Sequence, residues 1–119
     1  MADSLPVIDL PEALNRALGD AEFLRMMMEE LFNSIPDFVA RIEKSVGNGD
    51  MENLDRDAHQ FKGAAANLGA KAIAVAAYEL EKIGKSGNVD GSVPAFEKLI
   101  TQIDLFNEAY SKIDWSALG

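Results

Sequence analysis

The stretch MENLDRDAHQFKGAAANLG, residues 51–69, carries the clearest structural pattern in the chain. Its apolar residues recur in steps of three or four, which is the period of one face of an α-helix. Asp50 before the stretch and Gly69 at its end are typical boundaries of a helix. We therefore expect one helix with a single core face. That face consists of Met51, Leu54, Ala58, Phe61, Ala65 and Leu68.

The residues before this stretch predict two further helices. We expect a short helix over residues 10–18, capped by Asp9, and a long helix over 21–46, capped by Asp20. Pro36 lies inside the long helix and removes one backbone hydrogen bond, so we expect a kink or a break there. The expected core positions of the long helix are Leu24, Met27, Leu31, Ile35, Phe38, Ile42 and Val46.

The residues after the stretch predict two more helices. An alanine-rich helix is expected over residues 70–85, followed by a loop at GNVDGS, residues 87–92. A last helix is expected to begin near Pro94 and to end near Ile113. No run alternates between apolar and polar residues as a half-buried strand would. We therefore expect one all-α domain over residues 1–119, an antiparallel up-and-down four-helix bundle with a short additional N-terminal helix.

The composition restricts the classes of function. Twenty acidic residues against eleven Lys and Arg give a formal net charge of -9, which repels nucleic acid and anionic membrane surfaces. The absence of Cys and the single His exclude a disulfide framework, a thiol nucleophile and a Cys/His zinc site within the chain. The N-terminal residues MADSLPVIDL lack the order of a secretory signal, so we expect a cytoplasmic protein.

The single histidine, His59, lies on the polar side of the helix predicted over residues 51–69. At about 100° per residue, His59 is roughly 145° from the centre of the apolar face, Gly63 roughly 175° and Lys62 roughly 85°. The three residues thus form one surface patch. Because glycine inside a helix costs about 0.5–1 kcal/mol, Gly63 indicates a need for open space beside the imidazole.

Each of these residues also has an ordinary explanation. His59 could be a solvated side chain, Lys62 a surface charge and Gly63 the result of neutral drift. Their combination on one turn, around the only histidine of the chain, favours a site that a partner approaches closely.

The stretch AHQFKGAAANLGAKAIAVAAYELE, residues 58–81, resembles the histidine-containing phosphotransfer (HPt) domain of bacterial multistep phosphorelays. IDLPEALNRALGDAEFLRMMMEELF, residues 8–32, is similar to the first two helices of that family, so the resemblance covers nearly the whole chain. It implies a four-helix bundle in which His59 accepts a phosphoryl group, through Nε2. It further implies that Lys62 offsets charge on the phosphoryl oxygens and that Gly63 leaves room for a partner to approach the ring.

Glu81 matches a position where members of that family often place a Gln or Glu. The resemblance implies that its carboxylate accepts a hydrogen bond from Nδ1 of His59, which would fix the tautomer of the ring. Glu79 in that role, or a surface salt bridge for Glu81, is the alternative.

The resemblance implies a phosphoryl carrier in two-component signalling. We expect it to take the phosphoryl group from the phospho-Asp of one receiver domain and to pass it to another. We find no phosphate-binding glycine loop for a kinase of its own, since GNGD at residues 47–50 lacks that pattern. We expect response-regulator receiver domains as partners, with a hybrid sensor histidine kinase as a further candidate. We expect a monomer without a cofactor, with Mg²⁺ bound by the partner receiver.

Two other functions stay open from the sequence. The chain could be a helical adaptor that is never phosphorylated, although its retained His59 speaks against this. It could also be the excised phosphotransfer domain of a chemotaxis kinase or a hybrid sensor kinase. The chain begins with Met and ends shortly after its last predicted helix, as a separate protein would, but an excised domain could have the same bounds, and the sequence does not decide between the two.

Overall fold

Four long antiparallel helices form the body of the molecule in a computed structural model, which describes residues 6–118. Within these residues no strand occurs, and the predicted all-α bundle with a short additional N-terminal helix is confirmed. None of the helices there combines the length and the apolar character needed to cross a bilayer. Residues 1–5 and 119 of the predicted domain lie outside the described range. The helices are α1 (Leu10–Arg16), α2 (Ala21–Asn48), α3 (Met51–Asn67), α4 (Lys71–Ser86), α5 (Val89–Ser111) and α6 (Trp115–Leu118).

The helix starts follow from three aspartates. Asp9, Asp20 and Asp50 are the N-caps of α1, α2 and α3, as predicted. Each side chain accepts a hydrogen bond from the backbone amide three residues later, at 3.0 or 3.1 Å. Each therefore satisfies one of the amides that a helix start leaves unpaired.

Gly69 ends α3, as the sequence predicts, and also joins α3 to the start of α1. Its φ of 72° is in the left-handed region that favours glycine. The amide of Asp9 donates to the Gly69 carbonyl at 2.7 Å, and a Cβ at Gly69 would lie only 2.6 Å from the Asp9 carbonyl oxygen. Glycine is needed here both for the turn and for the close approach.

Helix α2 continues through Pro36, so the alternative of a break there is wrong. A proline inside a helix leaves the carbonyl four residues earlier without its usual donor, but it does not have to end the helix when packing holds both halves. Here the residues on either side of Pro36 pack against the same core. They include the fully buried Leu24 and Ile42.

The buried face of α2 differs by one residue from the predicted face near each end. Met28 is fully buried and Ser45 nearly so, whereas Met27 and Val46 are only partly buried. An α-helix has 3.6 residues per turn, whereas alternate steps of three and four average 3.5 residues. Over the 28 residues of α2 the predicted stripe therefore drifts around the helix. The predicted core positions Leu31, Ile35 and Ile42 are confirmed as buried, whereas Phe38, like the two end positions, is only partly buried.

The prediction for the start of α5 is wrong. The helix begins at Val89 instead of near Pro94, and it includes most of the predicted loop. Asn88 caps it by accepting a hydrogen bond from the Gly91 amide at 3.1 Å, and the Ser92 hydroxyl donates to the Val89 carbonyl at 2.6 Å. These polar residues form a first helical turn, and Pro94 lies early enough to remove only one hydrogen bond.

Helices α3 and α4 form the most extensive helix pair, and Gly84 explains how closely they approach. A Cβ at Gly84 would lie 2.6 Å from the backbone nitrogen of Asp55 and 2.9 Å from the Met51 carbonyl oxygen. Ala58 and Ala77, both fully buried, keep this interface thin. The close approach brings the outer flanks of α3 and α4 together, and the candidate site lies on those flanks.

Candidate functional site

His59 lies on the outer side of α3, with its side chain 64% exposed. Its neighbours Ala58 and Phe61 are fully buried, so the core face of α3 is the one that the helical pattern predicts. The imidazole is therefore held by a rigid helix and is open to a partner.

Glu81 of α4 reaches across to this ring. Its Oε2 lies 3.1 Å from Nδ1 of His59, and its side chain is only 7% exposed. An ionised carboxylate can only accept a hydrogen bond, so this contact favours the tautomer with the proton on Nδ1. Nε2 then carries the lone pair. The neighbouring Glu79 pairs with Lys82 instead, at 2.9 Å.

Three cationic or polar groups share the Glu81 carboxylate. Lys62 Nζ lies 2.7 Å from Oε1, an ion pair held by charge rather than by hydrogen-bond alignment. Lys85 Nζ lies 3.4 Å from Oε2, beside His59. The Lys62 ammonium is the largest cause that lowers the pKa of the Glu81 carboxyl from 4.5 to about 2, with His59 and Lys85 acting in the same direction and burial opposing them. Glu81 is therefore ionised at neutral pH.

Lys62 is held from two sides. Besides its pairing with Glu81, its Nζ lies 5.0 Å from the centre of the Tyr78 ring, in the geometry of a cation–π contact. The Lys62 side chain is 28% exposed, so its ammonium is placed at the edge of the patch next to His59. An ammonium carries three donors, so the pairing with Glu81 leaves others for a second anion.

Gly63 faces open space. A Cβ added there would meet no atom of the described residues within 4 Å. No contact inside this part of the protein therefore requires glycine at this position. The open space at Gly63 is therefore available to a molecule that approaches the helix from outside.

An apolar groove of about 460 Å³ lies between α2 and α3. Phe23, Met27 and Phe38 line its α2 side, and Ala64 and Leu68 line the other. Ala64 follows Gly63 directly but points about 100° further around α3, so the groove lies on the flank of α3 that faces α2. A groove of about 510 Å³ between α4 and α5 lies on the opposite flank of α4 from Glu81.

The sequence pattern misses two charged residues of this site. Asp55 and Lys85 lie one helical turn from His59 and Glu81 respectively, and Lys85 Nζ contacts Asp55 Oδ1 at 2.9 Å. The spacing of four residues within each helix could have indicated both, but only the packing of α3 on α4 shows that they meet.

The comparisons with known proteins agree with this architecture. A family model described as Hpt domain matches residues 26–109. The crystal structure of histidine-containing phosphotransfer protein B (HptB) from Pseudomonas aeruginosa PAO1 is similar in fold, with a TM-score of 0.78 and 20% sequence identity over 93% of this chain and 100% of that one. No curated protein matches the chain in sequence. From the family match, the chain belongs to the Hpt domain family and is a histidine phosphotransfer protein of phosphorelays.

Proposed function

We propose that the chain accepts a phosphoryl group on Nε2 of His59 from the phospho-Asp of one receiver domain and passes it to the Asp of another. The observation that carries this proposal is the exposed imidazole whose Nδ1 is engaged by a buried carboxylate. A ring held in this way presents one defined nitrogen to a partner, which is what a transfer between proteins requires.

The transfer step conserves charge and needs no proton to leave the ring. The Nε2 lone pair attacks phosphorus, a bond forms between Nε2 and phosphorus, and the bond from phosphorus to the receiver carboxylate oxygen breaks. That carboxylate departs with the bonding electrons. The proton stays on Nδ1, so the ring becomes cationic while it faces the Glu81 carboxylate at 3.1 Å. Glu81 thus stabilises the charge that develops on the ring.

Lys62 supports the same step from the other side of Glu81. As the ring gains positive charge, Glu81 depends less on Lys62, and the ammonium can turn its remaining donors to the phosphoryl oxygens. In the structure its Nζ lies 2.7 Å from Oε1 of the carboxylate whose Oε2 contacts the ring, so the ammonium starts close to His59. This role matches the one that the family resemblance implies.

The open surface at Gly63 and the groove between α2 and α3 are the docking surface in this proposal. Gly63 allows the partner's backbone to come close to the ring, and the groove offers apolar contacts on the flank of α3 that faces α2. In this proposal the receiver supplies its own acidic pocket and Mg²⁺, so the histidine protein needs only to position the ring and to dock. A weak interface suits a partner that must be exchanged.

The proposal is tested by incubating the protein with a radiolabelled phosphorylated receiver and following the label on the protein. We expect label on the wild-type chain, lost on brief acid treatment because phosphohistidine is acid-labile, and no label on His59→Gln. Addition of a second, unphosphorylated receiver should then remove the label from the wild-type chain. Acid-stable label, or equal label on His59→Gln, would overturn the proposal and favour an adaptor.

A further inference from the structure

We infer that Lys85 is a positioning residue of this site: it keeps the buried Glu81 carboxylate compensated and oriented toward His59 when Lys62 is drawn to the phosphoryl group. The inference rests on the proposed function, which it extends to a residue outside the patch that the sequence indicates. It follows from the way in which the charges are shared around Glu81.

Lys85 and Lys62 contact different oxygens of the Glu81 carboxylate. Lys85 Nζ lies 3.4 Å from Oε2 of Glu81, the same oxygen that faces Nδ1 of His59, whereas Lys62 faces Oε1. The two lysines therefore hold the carboxylate from its two oxygens. Loss of one leaves the other oxygen still paired, which is the arrangement needed if Lys62 is to move.

The need for a second cation comes from the burial of Glu81. A carboxylate whose side chain is only 7% exposed is costly without a charge partner. An incoming phosphoryl group carries negative charge and competes with Glu81 for Lys62. Without Lys85, the Glu81 carboxylate would have only the ring as a partner once Lys62 moved away. Lys62 would therefore be held back on Oε1.

Two further contacts fix Lys85 in this position. Asp55 Oδ1 accepts a hydrogen bond from Lys85 Nζ at 2.9 Å, so the ammonium bridges α3 and α4. Gly84, directly before Lys85, lies against the backbone of Asp55 and allows this bridge to be short. Lys85 itself is 59% exposed, so it acts at the solvent edge of the site and its individual pairings are moderate in strength.

Lys82 provides a matched control on the same helix. Its Nζ pairs with Glu79 at 2.9 Å and lies 4.8 Å from the centre of the Tyr78 ring, without an ion pair to Glu81. Lys82→Met and Lys85→Met remove the same charge from neighbouring turns of α4. A difference between the two variants therefore reports on the contact with Glu81 rather than on net charge.

The test measures the rate of phosphoryl uptake from a phosphorylated receiver and the ¹⁵N chemical shifts of the His59 ring, which report its tautomer. We expect Lys85→Met to slow uptake by about threefold to tenfold and to weaken the preference for the Nδ1-protonated ring, in line with the loss of one partly exposed ion pair. We expect Lys82→Met to stay within about twofold of the wild-type rate and Lys85→Arg to restore most of it. A purely structural role for Lys85 would not change the tautomer.

The double variant Lys62→Met with Lys85→Met sharpens the test. Since it leaves Glu81 without either cation, we expect its loss in rate to exceed the product of the two single losses. Asp55→Asn keeps the charge of Lys85 but releases its anchor, and it should give a smaller loss in the same direction even if Lys85→Met folds poorly.

The outcomes separate the two proposals. If the wild-type chain takes up label at His59 but Lys85→Met and Asp55→Asn match Lys82→Met in rate and tautomer, the role of Lys85 is overturned while the proposed function stands. If the wild-type chain takes up no label at His59, the proposed function fails and the role of Lys85 fails with it.

Discussion

Gly63 in α3 and Gly84 in α4 each stand inside a helix, and a methyl group added at each would meet very different surroundings. At Gly63 it would meet nothing within 4 Å among the described residues, whereas at Gly84 it would lie 2.6 Å from the backbone of Asp55. Gly63 leaves open space at the surface of the protein, and Gly84 lets two helices pack closely in its interior. The same residue type at similar helical positions thus serves a surface in one case and a helix interface in the other.

This difference bears on the site, because both glycines lie beside it. Gly84 brings α4 close enough to α3 for Glu81 and Lys85 to reach across, and Gly63 leaves the far side of the histidine patch open. One glycine builds the charged side of the site and the other keeps its access clear. The predictions below test this division, from the largest expected effect to the smallest.

Gly84→Ala should be the most damaging of these changes. Its methyl group cannot fit against the α3 backbone unless the two helices move apart, so we expect the free energy of unfolding to fall by about 1–3 kcal/mol. Urea unfolding followed by circular dichroism measures this. An unchanged midpoint of urea unfolding would show that α3 and α4 can move apart with little loss of free energy. Gly84 and Gly63 would then not differ in their effect on stability.

Glu81→Gln tests whether the ion pairs that the close approach at Gly84 permits stabilise the fold. The pKa of Glu81 is lowered from 4.5 to about 2, so its stabilising contribution is present above pH 4.5 and is lost as the pH falls toward 2. We expect the wild-type chain to exceed Glu81→Gln in stability by about 1–2 kcal/mol at neutral pH, after allowance for the partly exposed partners. The gap should close between pH 4.5 and 2 in unfolding curves. A gap that is constant with pH would show that Glu81 does not titrate as stated.

Gly63→Ala should change stability in the opposite direction from Gly84→Ala. With no contact to meet, the alanine gains helix propensity, and we expect the free energy of unfolding to rise by about 0.5–1 kcal/mol. Gly63→Leu, measured for helix content and for transfer from a phosphorylated receiver, should keep the helix but slow the transfer. Transfer at the wild-type rate in Gly63→Leu would show that the open space has no role in docking.

Leu18→Gly should have the smallest effect. Leu18 has a φ of 59° and is 94% exposed, so it adopts a conformation that favours glycine without any packing in return. The relief of backbone strain is partly offset by the greater entropy of the unfolded chain, and we expect a gain of about 0.3 kcal/mol. Thermal unfolding detects this as a small rise in Tm, and a fall would mean that the Leu18 side chain has a stabilising contact.

The sequence predicts most of the fold because its signals are local. The aspartate caps and the apolar stripe of α3 need only residues within a few turns of one another, and they are found where expected. The start of α5 is not predicted because Pro94 is a strong local breaker, whereas the cap at Asn88 outweighs it only once the helix has formed. The shift of the α2 core to Met28 depends on the packing of a long helix.

The candidate site is predictable only in part for the same reason. The exposure of His59 follows from the pattern of α3 alone. The contacts of Glu81 with His59 and Lys62 join residues of different helices, and the family resemblance suggested only the first of them. Lys85 and Asp55 lie 30 residues apart, and nothing in either helix alone shows that they pair.

Among the described residues, those that contact the Glu81 carboxylate all lie on α3 and α4, while one wall of the groove on the other flank of α3 belongs to α2. This separation gives evolution two independent regions to change. If the groove docks a receiver, as proposed above, substitutions along the exposed side of α2 would change the partner that is recognised and leave the residues around Glu81 unchanged. On the proposed docking surface, recognition of the partner and the holding of the imidazole would thus rest on different helices.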